Sequence, residues 1–180
     1  FFFDALSGSL KDQSTTRIAY FGDSQIEGDM LTQTLRLLLQ RNFGGQGVGM
    51  VPITSTVAGF RNTITHSFST NWKQYSFLKN SQEHPIGILG WTFIPQYQEE
   101  INGEDTIKKT TSWVSYKFSS KFSTAKSFNE IKLYYAANNS HAYVKYNKLD
   151  SSVTTKLDGT KKVNELLLTS NAQNSIKLSF

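Results

Sequence analysis

The chain has 180 residues, enough for one ordinary domain or two small ones. Aromatic residues make up 13% of it and hydrophobic residues 38%, which favours β-rich structure with half-buried faces and argues against disorder. There is no cysteine, which excludes disulfides, zinc–thiolate sites and a cysteine nucleophile. The net charge is +5, but the lysines after Glu83 are scattered and not clustered with arginine and aromatic residues. We therefore expect no nucleic-acid binding.

The first region, residues 1–83, is predicted to begin an α/β arrangement. The segment RIAYF, residues 17–21, has the composition of a short buried strand, and it ends at the turn Gly22-Asp23-Ser24. A strand that turns into a helix places the turn residues at the carboxyl edge of a sheet, where ligands of α/β proteins collect. The pattern therefore predicts a functional site at this turn.

A helix is predicted after this turn. Asp29 is an acceptable N-cap, and Leu31, Leu35 and Leu38 recur at helical spacing, so we expect them to form a buried stripe. Gly44 and the glycine after it predict the end of the helix.

The second region, residues 84–180, changes to a two-residue period. Turn-forming residues separate the apolar runs, and Asp158-Gly159 predicts a hairpin between the two runs that flank it. Seven strands are predicted: IGILGWTFIP, SWVSYKF, NEIKLYYAA, HAYVKYN, SVTTKL, VNELLL and NSIKLSF. Short strands at even spacing are typical of an antiparallel β-sandwich, here jelly-roll-like. The predicted fold class is therefore α+β: a partial α/β unit followed by this sandwich.

The segment YFGDSQIEGD carries the candidate chemistry. Gly22 permits a tight turn, Asp23 is a turn-former or hydrogen-bond acceptor, and Ser24 is the candidate nucleophile. At the start of a helical segment, the Ser24 backbone N–H is placed to stabilise an oxyanion. The simpler alternative is that Ser24 is only a helix cap, because serine is favoured at N-caps.

This segment resembles the first block of the SGNH (GDSL-type) hydrolases, in which Gly-Asp-Ser follows the first strand. The longer stretch GDSQIEGDMLTQTLRLLLQRNFGGQGVGMVPI is similar to bacterial peptidoglycan O-acetylesterases, some of which carry an inserted carbohydrate-binding-like β-sandwich. The resemblance implies a serine esterase that removes O-acetyl groups from peptidoglycan or another polysaccharide, without a cofactor or metal. It also implies an exported bacterial protein. The start FFFDAL, without initiator methionine or basic segment, leads us to expect a leader already removed.

Two family blocks are missing. In the family an Asp-x-x-His block supplies the catalytic base, but none of His66, His84 and His141 has aspartate three residues earlier. The Gly-x-Asn-Asp block that completes the oxyanion hole is also absent. A serine without a base is a weak nucleophile. We therefore expect the base to come from outside this chain and the chain alone to be inactive.

A second class of function remains open, a non-catalytic glycan-binding or cell-surface protein. The aromatic residues Trp72, Trp91, Trp113, Tyr134 and Tyr135 are candidates for stacking on sugar rings, although aromatic residues in strands more often belong to a core. No run of apolar residues approaches the length that spans a bilayer.

Overall fold

The computed structural model describes residues 2–12, 14, 16–78, 84–102, 106–119, 121, 124–137, 142–148, 151–169 and 171–180. Within these residues the chain is mostly antiparallel strands with few helices. The helices are α1 (Phe2–Asp12), α2 (Ser24–Glu27) and α3 (Thr32–Phe43), followed by a 3₁₀ turn (Ala58–Phe60). None of the helices in this part of the chain has the length and apolar content that a bilayer crossing requires.

The strands begin after the 3₁₀ turn and continue to the last residues. They are β1 (Ile64–Phe68), β2 (Lys73–Ser76), β3 (Trp91–Ile94), β4 (Tyr97–Asn102), β5 (Thr106–Thr111), β6 (Trp113–Phe118), β7 (Ile131–Tyr135), β8 (Tyr143–Lys148), β9 (Ser151–Lys156), β10 (Asn164–Thr169) and β11 (Ser175–Ser179). Each of the seven predicted runs overlaps one strand, namely β3 and β6 to β11, with differences of a few residues at the ends. Sequence analysis missed β1, β2, β4 and β5.

The largest sheet has five antiparallel strands in the order β1-β6-β11-β8-β9. Three two-stranded antiparallel sheets accompany it, formed by β10 with β7, β2 with β3, and β4 with β5. The predicted boundary near residue 83 falls beside residues 79–83, which are not among the described residues. Strand β1, from the first region, pairs with β6 of the second, from Ile64 opposite Phe118 to Phe68 opposite Val114.

The hydrophobic core lies between the five-stranded sheet and the β7–β10 pair. Alternate side chains of β6, β8 and β11 meet side chains of β7 and β10, as the two-residue period requires. The buried members are Val114, Leu133, Val144, Tyr146, Leu157, Leu168, Ile176 and Leu178. The β-rich region is thus held together mainly by apolar burial.

The hairpin predicted at Asp158-Gly159 is wrong. Strand β9 pairs with β8 in the large sheet, whereas β10 pairs with β7 in the other sheet, so residues 157–163 cross between the two sheets. An added Cβ on Gly159 would lie 2.7 Å from the Ala136 carbonyl oxygen, so glycine is required there for a close approach to the β7 end.

The buried strand predicted over residues 17–21 is not formed. These residues have no regular structure, and Phe21 is 90% exposed. A strand needs a neighbouring strand to pair its backbone groups, and no described strand lies beside this segment. The α/β arrangement predicted for the first region is therefore absent from the described residues.

Helix α3 forms, but two details of its prediction are wrong. It begins at Thr32, with Leu31 in the cap position, and not at Asp29. Leu31, Leu35 and Leu38 form a stripe, yet all three are exposed, Leu38 by 50%. Gly44, with φ of 75°, ends the helix as predicted. Sequence analysis missed α1, whose Phe3 lies against Phe43 of α3, with ring centroids 6.2 Å apart.

Candidate functional site

The candidate site is the turn before α2. Asp23 is the N-cap residue, in extended conformation, and its side chain accepts a hydrogen bond of 3.0 Å from the Gln25 N–H. The Gly28 N–H donates to the Ser24 carbonyl oxygen and closes the single helical turn. Asp23 thus acts as the predicted hydrogen-bond acceptor, and the capping role considered for Ser24 belongs to Asp23.

Ser24 occupies the first helical position and is exposed. Its hydroxyl and its backbone N–H have no hydrogen-bond partner among the described residues. A backbone amide that is not used inside the helix remains available to an external acceptor. The turn therefore offers an accessible hydroxyl and an accessible amide on the same residue.

Gly22 has a different role from the one expected. Its φ is not in the positive range, so the turn does not depend on a glycine-only conformation. Instead, a Cβ on Gly22 would lie 2.0 Å from Cδ1 of Ile26, a contact that forces the Ile26 side chain to move. Glycine at this position lets Ile26 fold back over the turn.

A buried polar cluster lies directly after α2; we call it the Asp29 cluster (Asp29, Thr32, Arg36, Arg61 and Thr63). Asp29 is 2% exposed and has a positive φ of 61°, which is uncommon outside glycine but tolerated by Asp and Asn. Both Arg36 terminal nitrogens donate to the Asp29 carboxylate, at 3.0 and 2.8 Å. The Thr32 hydroxyl also donates to it, as does the Thr63 hydroxyl, at 3.2 Å.

The Asp29 cluster joins the candidate turn to the β-rich region. Thr63 immediately precedes β1, and the Arg61 guanidinium donates to the Glu27 carbonyl oxygen of α2 at 2.5 Å. The Ser55 hydroxyl donates to the Glu27 carboxylate at 3.2 Å. Since these contacts hold α2 and the start of α3 against residues 55–63, the segment that leads into β1, they restrict the direction in which Ser24 is presented.

The electrostatics of the cluster follow from its burial. Burial of Asp29 opposes ionisation, but the hydrogen bonds from Arg36 and Thr32 outweigh it and lower the pKa of Asp29 below its usual value. Burial lowers the pKa of Arg61, and the charge of Asp29 partly opposes this effect. Asp29 is therefore an ionised structural group. It is not placed as a proton donor or acceptor for Ser24.

The described histidines do not reach Ser24. His66 Nε2 is 2.9 Å from the Ile53 carbonyl oxygen, and its ring stacks on Tyr116 with centroids 4.9 Å apart. His84 contacts the edge of Tyr75. His141 lies outside the described residues. Among the described residues there is also no group of three or more histidine, aspartate or glutamate side chains arranged to hold a metal ion.

The aromatic residues considered for sugar stacking do not form one surface. Trp72 is buried and donates to the Trp113 carbonyl oxygen, and Trp91 stacks on Phe93 in the β2–β3 sheet. Tyr134 is exposed on β7, whereas Trp113 lies on β6 beneath the Lys177 ammonium. They therefore offer several separate surfaces to a ligand.

The sequence pattern points to Gly22, Asp23 and Ser24 but not to the Asp29 cluster. Arg61 and Thr63 lie more than thirty residues from Asp29, and no local pattern links them. The one available signal was that all four arginines lie within residues 17–61. No family model and no curated protein matches this chain.

Proposed function

We propose that this chain belongs to an exported bacterial serine esterase of the SGNH type that removes O-acetyl groups from a cell-wall or other polysaccharide. Ser24 Oγ attacks the ester carbonyl carbon while a base takes its proton, and the Ser24 N–H donates to the resulting oxyanion. Collapse of this intermediate breaks the bond to the sugar oxygen, which leaves with a proton. Water then attacks the acyl-serine and releases acetate and free Ser24.

The observation that carries this proposal is the state of Ser24. Its side chain is exposed at a turn whose cap is supplied by Asp23, so the serine has no capping task. The Asp29 cluster fixes the residues that follow the turn through buried ion-pair and hydrogen-bond contacts. A nucleophile presented on a fixed turn, next to an available amide, fits acyl transfer.

The base belongs, in this proposal, to residues outside the chain. Ser24 Oγ has no base bonded to it among the described residues, and His66 is committed to Ile53 and Tyr116. His84 lies against Tyr75. An isolated serine hydroxyl is too weak a nucleophile at neutral pH to act without such a group.

We also propose how the chain is divided between two domains. Residues 1–83 would be the first part of an SGNH-type α/β domain, and residues 84–180 a jelly-roll-like sandwich inserted into it. The exposed apolar side chains of Ile18, Tyr20 and Phe21, and the exposed stripe of α3, support this because large apolar side chains in water call for a covering surface. Further strands of the α/β sheet would cover them.

The test is an esterase assay on the complete parent protein and on this chain alone. With p-nitrophenyl acetate the parent should be active, the chain alone inactive, and Ser24→Ala in the parent should lower kcat/KM by roughly 10⁴-fold. Ser7→Ala, which removes an exposed hydroxyl from α1, is the matched control and should keep full activity. Turnover by the chain alone would contradict the external base.

Stability measurements separate the nucleophile from the cap. Because Asp23 makes the capping hydrogen bond, Asp23→Ala should destabilise the α2 turn by about 1 kcal/mol. Ser24→Ala should leave the free energy of unfolding unchanged, since its hydroxyl has no partner among the described residues. A Ser24→Ala variant that loses both activity and stability would indicate a structural serine.

The second candidate is a non-catalytic glycan-binding or cell-surface protein. Its support is the same missing base, together with a β-rich region that forms most of the described structure. A parent protein that binds polysaccharide but hydrolyses neither p-nitrophenyl acetate nor acetylated glycan would favour it.

A further inference from the structure

The outer face of the five-stranded sheet, the face turned away from the core, has an unusual distribution of charge. Along β1, β6, β11, β8 and β9 the side chains that alternate with the buried ones point away from the core. On the described strands every such position is a lysine or an uncharged residue. Most of the uncharged ones are hydroxyl or amide side chains, such as Asn147, Ser152 and Ser179.

Three lysines lie on one diagonal of this face; we call them the lysine row (Lys145, Lys177 and Lys117). Lys145 is opposite Ser179 in the β8–β11 pair, which places it one diagonal step from Lys177 on β11. Lys177 is opposite Ser115, and Lys117 is opposite Ser175, which gives a second step in the same direction. Each step is about 7–8 Å, so the row crosses three strands at regular spacing.

The lysine row is not neutralised within the described residues. All three side chains are exposed and none has an ion-pair partner there. Lys177 lies over the Trp113 ring, 4.7 Å from its centroid. By contrast, Lys156 on β9 pairs with Asp158 at 2.6 Å. Neighbouring like charges without counter-charges give this face a positive potential, so an external anion is the natural complement of this row.

The surface around the row is shaped and hydroxyl-rich. Two shallow depressions of about 240 and 250 Å³ adjoin each other on it and share Lys145 and Ser179. Tyr143, which is 48% exposed, lines the second depression and presents an aromatic ring at one end of the row. An aromatic ring next to hydroxyl and amide groups suits a sugar ring, which has apolar C–H faces and polar edges.

We propose that the lysine row binds a carboxylated polysaccharide, a chain of uronic-acid type, laid diagonally across the five-stranded sheet. The ammonium groups meet carboxylates at intervals along the polymer, Tyr143 stacks on a sugar ring, and the hydroxyl and amide side chains bond sugar hydroxyls. This binding does not depend on Ser24. It would give the proposed esterase an acidic glycan as its polymer.

Other polyanions fit this face less well. Nucleic-acid surfaces combine arginine with several stacking aromatic residues, and no arginine lies on these five strands. An acidic peptide usually needs an enclosed apolar anchor pocket, whereas the two depressions are shallow and open to solvent.

The test measures binding of the full chain to an oligogalacturonate of defined length by calorimetry at low ionic strength. A neutral maltooligosaccharide of equal length and a single-stranded DNA of equal charge serve as comparison ligands. We expect measurable affinity only for the oligogalacturonate, weakened by added salt because exposed charge pairs are screened. Absence of binding to it, or equal or tighter binding of DNA, would overturn the proposal.

Two variants with the same charge locate the binding surface. Lys117→Gln/Lys145→Gln/Lys177→Gln should weaken oligogalacturonate binding roughly tenfold, because each exposed ion pair changes affinity a few-fold. Lys121→Gln/Lys161→Gln/Lys162→Gln removes three exposed lysines elsewhere and should change affinity less than about twofold. Equal losses in both variants would mean that net charge alone is responsible and would refute a specific row.

A second pair of variants keeps the test valid if the triple variant fails to fold. Tyr143→Ala should lower affinity about threefold, whereas Tyr134→Ala, which removes a similarly exposed tyrosine on β7, should leave it unchanged. Ser24→Ala should bind as tightly as the unmodified chain. Loss of binding in Ser24→Ala or Tyr134→Ala would contradict the assignment to this face, whatever the esterase assay gives.

Discussion

The region before β1 and the β-rich region differ in how far their apolar side chains are buried. In the β-rich region, alternate side chains such as Val144 and Ile176 are almost completely buried. In the earlier region, Phe21, Leu35 and Leu38 are exposed, although Leu6 of α1 is buried. There the turn and the start of α3 are joined to the segment before β1 by the polar contacts of the Asp29 cluster, while Ile53 packs against the apolar core. The comparison teaches that one region is stabilised by hydrophobic burial and the other depends on a few charged and hydrogen-bonded groups.

The largest expected effect comes from opening a cavity in the apolar core. Ile176 is 1% exposed, so Ile176→Ala should lower the free energy of unfolding by about 4 kcal/mol. Leu38 on α3 is 50% exposed, and Leu38→Ala should cost less than about 0.5 kcal/mol. Urea denaturation of the two variants checks the contrast. Similar losses would mean that the α3 stripe is buried in solution.

The next effect comes from removing the charge of Asp29. Asp29→Asn keeps a side chain that tolerates the positive φ and retains one acceptor oxygen, but leaves Arg36 and Arg61 without their carboxylate. We expect a loss of about 2 kcal/mol, because hydrogen bonds to charged groups are the stronger ones.

Hydrogen exchange locates the Asp29→Asn effect. Amide protection should decrease in α2, α3 and the start of β1, and remain unchanged in β8 and β11. Glu165→Gln, which removes an exposed carboxylate 3.2 Å from Lys132, is the control and should show no measurable change. A loss of protection spread evenly over the whole chain would contradict the separate stabilisation of the two regions.

The smallest expected effect is a pH dependence from His66, at the junction of the two regions. Its Nε2–H donates to Ile53, whereas its buried Nδ1 has no partner within the described residues. Burial lowers the pKa of His66 below its usual 6.5. The unfolded chain therefore binds more protons between the two pKa values, and the free energy of unfolding falls as pH decreases through that interval.

Denaturation at about pH 8 and about pH 5 measures this dependence across the range where histidine titrates. His66→Phe keeps the ring contact with Tyr116 and should flatten the pH profile. Ser67→Ala, which changes an exposed side chain on the same strand, is the control and should leave the slope as in the unmodified chain. An unchanged slope in His66→Phe would assign the dependence to other groups.

The local pattern predicted much of the β-rich region because strand formation there needs only alternation of apolar and polar residues. Runs such as NSIKLSF and HAYVKYN have this alternation, and both overlap strands. It did not predict which strands pair. Asp158-Gly159 has the composition of a hairpin turn, but β9 and β10 belong to different sheets. The two sheets face each other across one core, in which Leu157 and Leu168 are both buried.

In the first region, strand composition alone did not predict which segments form strands. RIAYF has strand composition, but a strand forms only where another backbone can accept and donate its hydrogen bonds. The segment NTITHSFS has only two apolar side chains, Ile64 and Phe68, yet β1 forms because β6 offers an edge. The sequence predicted Ser24 at the start of a helical segment, and Ser24 is the first residue of α2. The sequence did not identify Asp23 as the cap, since serine and aspartate are both favoured there.

The sequence by itself determined the period-two strands, the end of α3 at Gly44 and the place of Ser24 at the start of a helical segment, because each depends on neighbouring residues. Tertiary structure alone decided the pairing of strands, the burial of Asp29 against Thr63 and the alignment of Lys145, Lys177 and Lys117. These features join residues that are far apart in the chain, and their geometry depends on strand register and on which buried groups find partners.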